Sequence, residues 1–331
     1  MVQDGIFGLI FLVIKLGIVL IALLTLAAYL VWVERKLLGR IQVRFGPNRA
    51  GMFGLLQPLV DLVKLVTKED TVPEGASKAL FLLAPGVAAL MALLIFAVVP
   101  FGRGVTLWGR PVPLVITDLN VGLLYFLALS SISVYGVALG GWASNSKYSL
   151  IGGIRGAAQM ISYEVALGLS LVPVVMLAGS FSLVEITNAQ SRYPFILVQP
   201  VSFLLFFTAA MAEIKRIPFD LPEAENELGA GYHTEYSGMR FGLFFLGEYI
   251  TLITLGSLVA VFFLGGWHGP VLPPFVWFVI KVGMIVFIVI WLRATFPRIR
   301  YDQLMNVGWK VLIPVALLNI IATGAVILAF K

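Results

Sequence analysis

The sequence predicts an all-α integral membrane protein of about eight transmembrane helices plus one interfacial amphipathic helix, with both termini on the outer (periplasmic) side. Three observations predict it. Hydrophobic residues make up 60% of the 331 residues and charged residues only 12%. The mean hydropathy is +0.99, far from the composition of soluble domains. Apolar runs of about 20 residues, the length needed to cross the hydrocarbon core, recur along the chain. Membrane barrels would show short alternating segments instead.

The predicted spans run over 6–33, 79–99, 119–142, 157–180, 197–214, 241–264, 273–292 and 307–330. The first run is too long for a signal-peptide core and is followed by a basic segment with no small-residue cleavage site, so no cleavable signal is expected. After it comes "ERKLLGRIQVRFGPNR", with Arg35, Lys36, Arg40, Arg44 and Arg49, and then Lys64, Lys68 and Lys78. By the positive-inside rule this loop is cytoplasmic. With eight crossings, the loops at 143–156, 215–240 and 293–306 share that side, and the outer loops hold Arg103, Arg110 and Arg192. The organisation is a single membrane domain over 1–331 with long cytoplasmic loops at 34–78 and 215–240. Between the first two spans, Leu55, Leu59, Leu62 and Val66 fall on one helical face while Asp61, Lys64 and Lys68 share another. That pattern is amphipathic and too polar to span. Such a helix is either an ordinary solvated surface or the frame of an opening between lipid and a cytoplasmic partner. Pro85, Pro173 and Pro314 lie inside predicted spans, as tolerated kinks or as breaks lining a cavity.

Composition also excludes. The absence of cysteine removes disulfides and thiolate metal or iron–sulfur ligation. The two histidines, His233 and His268, fall in loops on opposite sides, so a bis-histidine haem is excluded, and no dinucleotide fingerprint or P-loop is present. No metal site is expected. The charge of +6 follows from membrane topology and needs no nucleic acid.

The acidic residues carry the chemistry. Glu164 and Glu248 lie roughly 10 to 12 Å inside their spans at 1.5 Å per residue. A carboxylate at that depth costs ~3 kcal/mol unless neutralised or paired. Lys15 and Lys281 either supply countercharge or snorkel outward, and the acids are either paired structurally or mark a proton path. Glu34 and Glu213 stand at the cytoplasmic ends of the first and fifth spans beside Arg35, Lys36, Lys215 and Arg216. Each alone is explained by interfacial pairing; with Glu164 and Glu248 they form a polar line into the bilayer.

The stretch "RIPFDLPEAENELGAGYHTEY" places Asp220, Glu223, Glu225, Glu227 and Glu235 between Ile217 and Gly238 without a Lys or Arg. Asp220, Pro222 and Glu223 read as a helix start, with Asp220 as cap and Glu223 reaching back. Glu223 and Glu227, at i and i+4, would then share a face and raise each other's pKa. The cluster is a proton reservoir or a docking surface for a basic partner.

"GLLQPLVDLVKLVTKE" (54–69) and "PFDLPEAENEL" (218–228) resemble the two signature segments of the NuoH-type core membrane subunit of NADH:quinone oxidoreductase, respiratory complex I. "VERKLLGRIQVRFGPNRAG", "RGAAQMISYEVALG" and "GYHTEYSGMRFGLFFLGEY" are similar to that family too, so the resemblance covers essentially the whole chain. It implies a component of a bacterial inner-membrane translocase with quinone (ubiquinone or menaquinone) as substrate. FMN and iron–sulfur clusters would lie in partner subunits, and this chain would hold no redox centre. The partners implied are the peripheral arm at the cytoplasmic loops, antiporter-like membrane subunits, and lipid. Carried over by position, Asp61, Lys64, Glu34, Glu164, Glu223, Glu225 and Glu227 serve proton coupling, together with Glu213 and Glu248. Arg35, Asp220, Tyr232 and Tyr236 line the quinone chamber. Alternative readings are a homologous component of a membrane-bound hydrogenase or other quinone-linked complex, and a free-standing secondary transporter in which Glu164 and Glu248 bind a coupling ion. A passive anchor leaves the intramembrane carboxylates unexplained.

Overall fold

The computed structural model describes residues 2–107 and 110–329. Its helices, in chain order, are α1 (Val2–Ile41), α2 (Gln57–Thr67), α3 (Lys78–Phe96), α4 (Gly122–Ala143), α5 (Lys147–Ala178), α6 (Leu183–Ala189), α7 (Phe195–Val198), α8 (Pro200–Glu213), α9 (Glu225–Leu228), α10 (Gly238–Phe263), α11 (Pro274–Thr295), α12 (Tyr301–Val307) and α13 (Ile313–Ala329). Seven helical stretches among the described residues are long and apolar enough to cross a membrane: Phe11–Ile41, α3, α4, α5, α10, α11 and Tyr301–Ala329. The predicted span 197–214 is instead broken at Gln199, because Pro200 disfavours helical backbone in the residue before it. α8 alone has 14 residues, about 21 Å of helix at 1.5 Å per residue.

Two helices run well past their predicted ends. α1 stays helical through "ERKLLGR", which has no proline before Pro47 and tolerates Gly39. α5 starts at Lys147, ten residues before the predicted 157, because its glycine-containing first turns pack directly on α4. A Cβ on Gly141 would lie 2.4 Å from the Ser149 carbonyl oxygen and 2.9 Å from Gly153 Cα. Pro85 and Pro173 are accommodated inside α3 and α5. Ahead of Pro314 the ladder widens to a π turn over Gly308–Leu312, the place where the proline ring would otherwise meet the carbonyl four residues back.

α10 is the centre of the bundle: 78% of its apolar window is buried, against 11% for α1 and 17% for the last span. It packs on α3, α1 and α11, while α5 joins α4, α8 and α13. Phe206, Phe262, Phe263, Leu167 and Leu171 form the core where these layers meet. On one face, Ser77 N–H donates to the Ala143 carbonyl at 3.1 Å and Ile299 N–H to the Pro218 carbonyl at 3.2 Å. The Arg240–Asp70 pair at 2.9 Å joins them, so the loops around 68–77, 143–147, 214–237 and 296–300 converge there. The opposite face carries a short antiparallel hairpin, β1 (Val105–Leu107) and β2 (Arg110–Val112), with Val105 opposite Val112. Strands of three residues are too short to show a sequence period. α2 buries none of its residues. It is held from its flanks by Arg35–Asp61 (3.0 Å) and by the Ser237 hydroxyl donating to the Glu69 carbonyl at 2.6 Å.

Candidate functional site

The site begins where α8 ends. Directly after Glu213, Lys215 adopts a left-handed conformation (φ 58°), a turn that costs a non-glycine residue about 1 kcal/mol. It sends Lys215 and Arg216 to opposite partners. Arg216 Nη1 donates to Glu34 Oε2 at 2.5 Å and its guanidinium lies 4.5 Å from the Tyr249 ring centre. Glu34, on α1 and only 1% exposed, accepts a second guanidinium from Arg293 of α11. Lys215 Nζ lies 3.7 Å from Glu248 Oε1 and donates to the Tyr232 hydroxyl at 3.2 Å. The Tyr232 hydroxyl donates to the same Glu248 oxygen at 3.1 Å.

Glu223 reaches the same point from the acidic loop and shares a hydrogen bond with Glu248. Burial, and then the Glu248 carboxylate, push Glu223 well above the ordinary carboxylate range. Asp220 pairs with Arg298 at 2.8 Å. Burial, with Glu248 adding to it, still pushes Asp220 up to about 6 against the pull of Arg298. The Tyr232 hydroxyl is raised by burial and by the neighbouring Glu248 and Glu223, and remains a donor. Glu34, Asp220 and Glu248 thus each have a cation beside them, the condition under which burying a carboxylate is tolerable.

These groups surround a cavity of about 160 Å³ lined by Arg216, Asp220, Glu223, Glu248, Tyr249 and Arg293 among others. Lys215 and Glu248 also line a second cavity of about 40 Å³. That one shares Glu213, Ser133 and Thr251 with a third, of about 50 Å³. Each exceeds the roughly 10–15 Å³ that one water needs. Ser130 donates to Glu213 Oε1 at 2.9 Å, while Glu213 Oε2 is buried without a protein partner among the described residues. Glu164, half-buried on α5, accepts from the Ser131 hydroxyl.

The chain matches the NADH dehydrogenase family over residues 14–324. It is 71% identical over 321 residues to a NuoH-type NADH-quinone oxidoreductase subunit of Syntrophobacter fumaroxidans, covering 97% of each chain. The namesake of Geobacter sulfurreducens is 65% identical over 314 residues (95% of each chain), and that of Syntrophotalea carbinolica 61% over 323 residues (98% of each). The chain belongs to the NuoH family of NADH-quinone oxidoreductase subunits.

In this NuoH family member the fold brings Glu34, Asp220, Glu223, Glu248 and Tyr232 together, with Glu213 two cavities' reach away. It leaves others apart. Asp61, with Arg35 at 3.0 Å and Lys64 at 3.9 Å, lies on the exposed α2. Glu227 pairs with Arg155 at 2.6 Å on the surface. Tyr236 stacks on Phe81 at 4.0 Å and points to the Gly140 carbonyl, away from the cavity. The side chain of Glu225 lies outside the described residues.

The predicted helix start at Asp220 is not formed. α9 begins at Glu225 after Ala224 (φ 28°), which breaks helical backbone, and the Asp220 carboxylate is taken by Arg298. Glu223 and Glu227 therefore do not share a helical face; one is buried against Glu248 and the other meets Arg155. Nor do Lys15 and Lys281 act as countercharges to the acids. Lys15 donates to the Pro113 carbonyl (2.8 Å) and to that of Val115, and Lys281 to those of Leu264, Gly266 and His268 (2.6, 2.9 and 2.6 Å), all on the hairpin side. Sequence reasoning passed over Arg293, Arg298, Arg155 and Tyr249. The signal was in "RATFPRIR", a short loop with three arginines beside only Asp302.

Proposed function

We propose that this chain forms the inner wall of a quinone chamber with the peripheral arm of its complex, and couples quinone reduction to proton translocation through Glu223, Glu248, Glu213, Glu34 and Glu164. The cavity in which Glu223 meets Glu248 beside Lys215 carries the reading: two carboxyls that share a hydrogen bond next to a cation respond together to any change of charge nearby. Quinone is the substrate, and its two-electron reduction requires two protons. Electrons reach it from centres in neighbouring subunits. A negative charge developing on reduced quinone draws Lys215 or Arg293 away from its carboxylate, and the released carboxylate takes a proton. The two smaller cavities offer water-sized space from Glu248 to Glu213. Asp61, Lys64, Glu225 and Glu227, with Arg35, form the surround of the chamber and its contact with the arm, while Tyr232 stands in the chamber wall beside Glu248 and Tyr236 backs that wall through Phe244.

We place the chain in a bacterial inner membrane with eight crossings, α7 and α8 together making the fifth, as one membrane domain with cytoplasmic loops at 34–78 and 215–240 and both termini outside. Two contacts support this. Glu213 at one end of α8 adjoins Lys215 and Glu248, while Gln199 at the other donates to Thr323 in the last turns of α13 at 2.9 Å. Antiporter-like subunits would receive the signal.

The test is Glu248→Gln in the assembled complex. Assembly and NADH oxidation by an artificial acceptor that bypasses quinone stay normal, while quinone reduction and pumping fall together by roughly 100-fold, the low end of what a positioned acid–base group contributes. Unchanged quinone reduction in assembled complex refutes the reading.

A further inference from the structure

We propose that Gln159 is a positioning residue of the coupling site: its side-chain amide staples the two ends of the loop that presents Lys215 and Arg216. The inference rests on the reading of that site as the coupling centre. Gln159, on α5, is completely buried. Its Nε2 donates to the Ala212 carbonyl at 2.8 Å and to the Phe219 carbonyl at 2.7 Å. Those are the carbonyls directly before Glu213 and Asp220. Both amide hydrogens are used, and they close residues 213–218 into a loop whose base is fixed to α5.

Lys215 and Arg216 project from that loop, and each is the main countercharge of a buried acid, Glu248 and Glu34 respectively. One amide therefore sets the position of both cations and of the acids flanking them. A turn further along α5, Tyr163 braces the same loop. Its ring lies 5.7 Å from that of Phe219, and its hydroxyl donates to the Leu304 carbonyl at 2.9 Å. Tyr163 acts by packing and Ile299 N–H adds one bond to the Pro218 carbonyl, whereas Gln159 supplies a donor to each end of the loop. A carboxylate at the same position presents no donor and faces two carbonyl oxygens. A protonated carboxyl restores one donor.

The experiment uses assembled complex in native membranes, with activities normalised to its amount on a native gel. In Gln159→Met, which keeps volume and removes both donors, quinone reduction falls by roughly 10- to 100-fold, the loss expected when charged groups shift by about an ångström, while bypass activity stays normal. In Gln159→Glu, the ratio of quinone reduction to that of the wild type rises as pH is lowered, because protonation returns a donor. A purely structural role would leave that ratio flat. Full quinone reduction in Gln159→Met, or a pH-independent ratio in Gln159→Glu, overturns the proposal; if Gln159→Met does not assemble, the Gln159→Glu profile decides. Glu248→Gln separates the two readings. If it lowers quinone reduction while Gln159→Met does not, only the positioning role fails; if it has no effect, the coupling reading itself fails.

Discussion

Replacing Glu34 by glutamine removes a carboxylate that two arginines share. Arg216 is the partner that suffers, since its side chain is 6% exposed and that of Glu34 2%. Arg293, 37% exposed, can turn toward the cavity. Removing one member of a buried pair costs ~3–5 kcal/mol, mostly because the other charge is left unpaired. The Tyr249 ring lies beneath Arg216 before and after the change and keeps the unpaired cation partly shielded, which puts the loss at the low end of that range. The expected loss is therefore about 3 kcal/mol, a little over a hundredfold in an equilibrium constant at 1.4 kcal/mol per decade. Glu227→Gln is the internal comparison. Its bond to Arg155 is short, at 2.6 Å, but the side chains are 54% and 31% exposed, and an exposed pair of that kind contributes about 1 kcal/mol or less. The assay follows the amount of this chain retained in solubilised complex over a series of denaturant concentrations. Glu34→Gln should shift the midpoint strongly and Glu227→Gln barely. Adding Arg216→Met to Glu34→Gln should recover much of the loss, because a neutral pair of similar volume leaves no buried charge. Equal shifts in the two single variants, or no recovery in the double one, would refute the reasoning.

Two further predictions concern titration and topology. Asp220, raised from 3.8 to about 6 by burial, is protonated below that value and ionised above it, so the infrared band of a protonated carboxyl that is absent in Asp220→Asn should fade as pH rises through about 6; fading near 3.8 instead would contradict the burial argument. Cysteines introduced at Asn48, Ser146, Thr234 and Asp302 in membranes stripped of the peripheral arm should label from one side and a cysteine at Val271 from the other, and labelling of Thr234 and Val271 from the same side would remove the eight-crossing arrangement.

Most of the membrane helices could be read directly from the chain. Transfer of apolar surface to lipid is additive along a short window, so α3, α4, α10 and α11 fall close to the predicted 79–99, 119–142, 241–264 and 273–292. The amphipathic α2 was legible for the same reason, since it depends on neighbours within a few turns, whereas the break that Pro200 imposes on the predicted span 197–214 was passed over. The local rules stopped at Asp220. Asp, Pro and Glu in that order favour a helix start by a kilocalorie or so, and the buried ion pair with Arg298 outweighs it.

Which cation answers which acid was decided by the tertiary structure alone. Glu34 is neutralised from 182 and 259 residues away, and Glu248 by a lysine brought over by the turn after α8. A buried carboxylate must find a counterion or a proton, but its own stretch of sequence cannot say from where. The answer depends on which helix ends the packing of α1, α5, α8 and α11 around α10 brings within hydrogen-bonding reach. At such distances in a poorly polarisable interior, a displacement of one ångström changes the energy by more than any local preference of the chain.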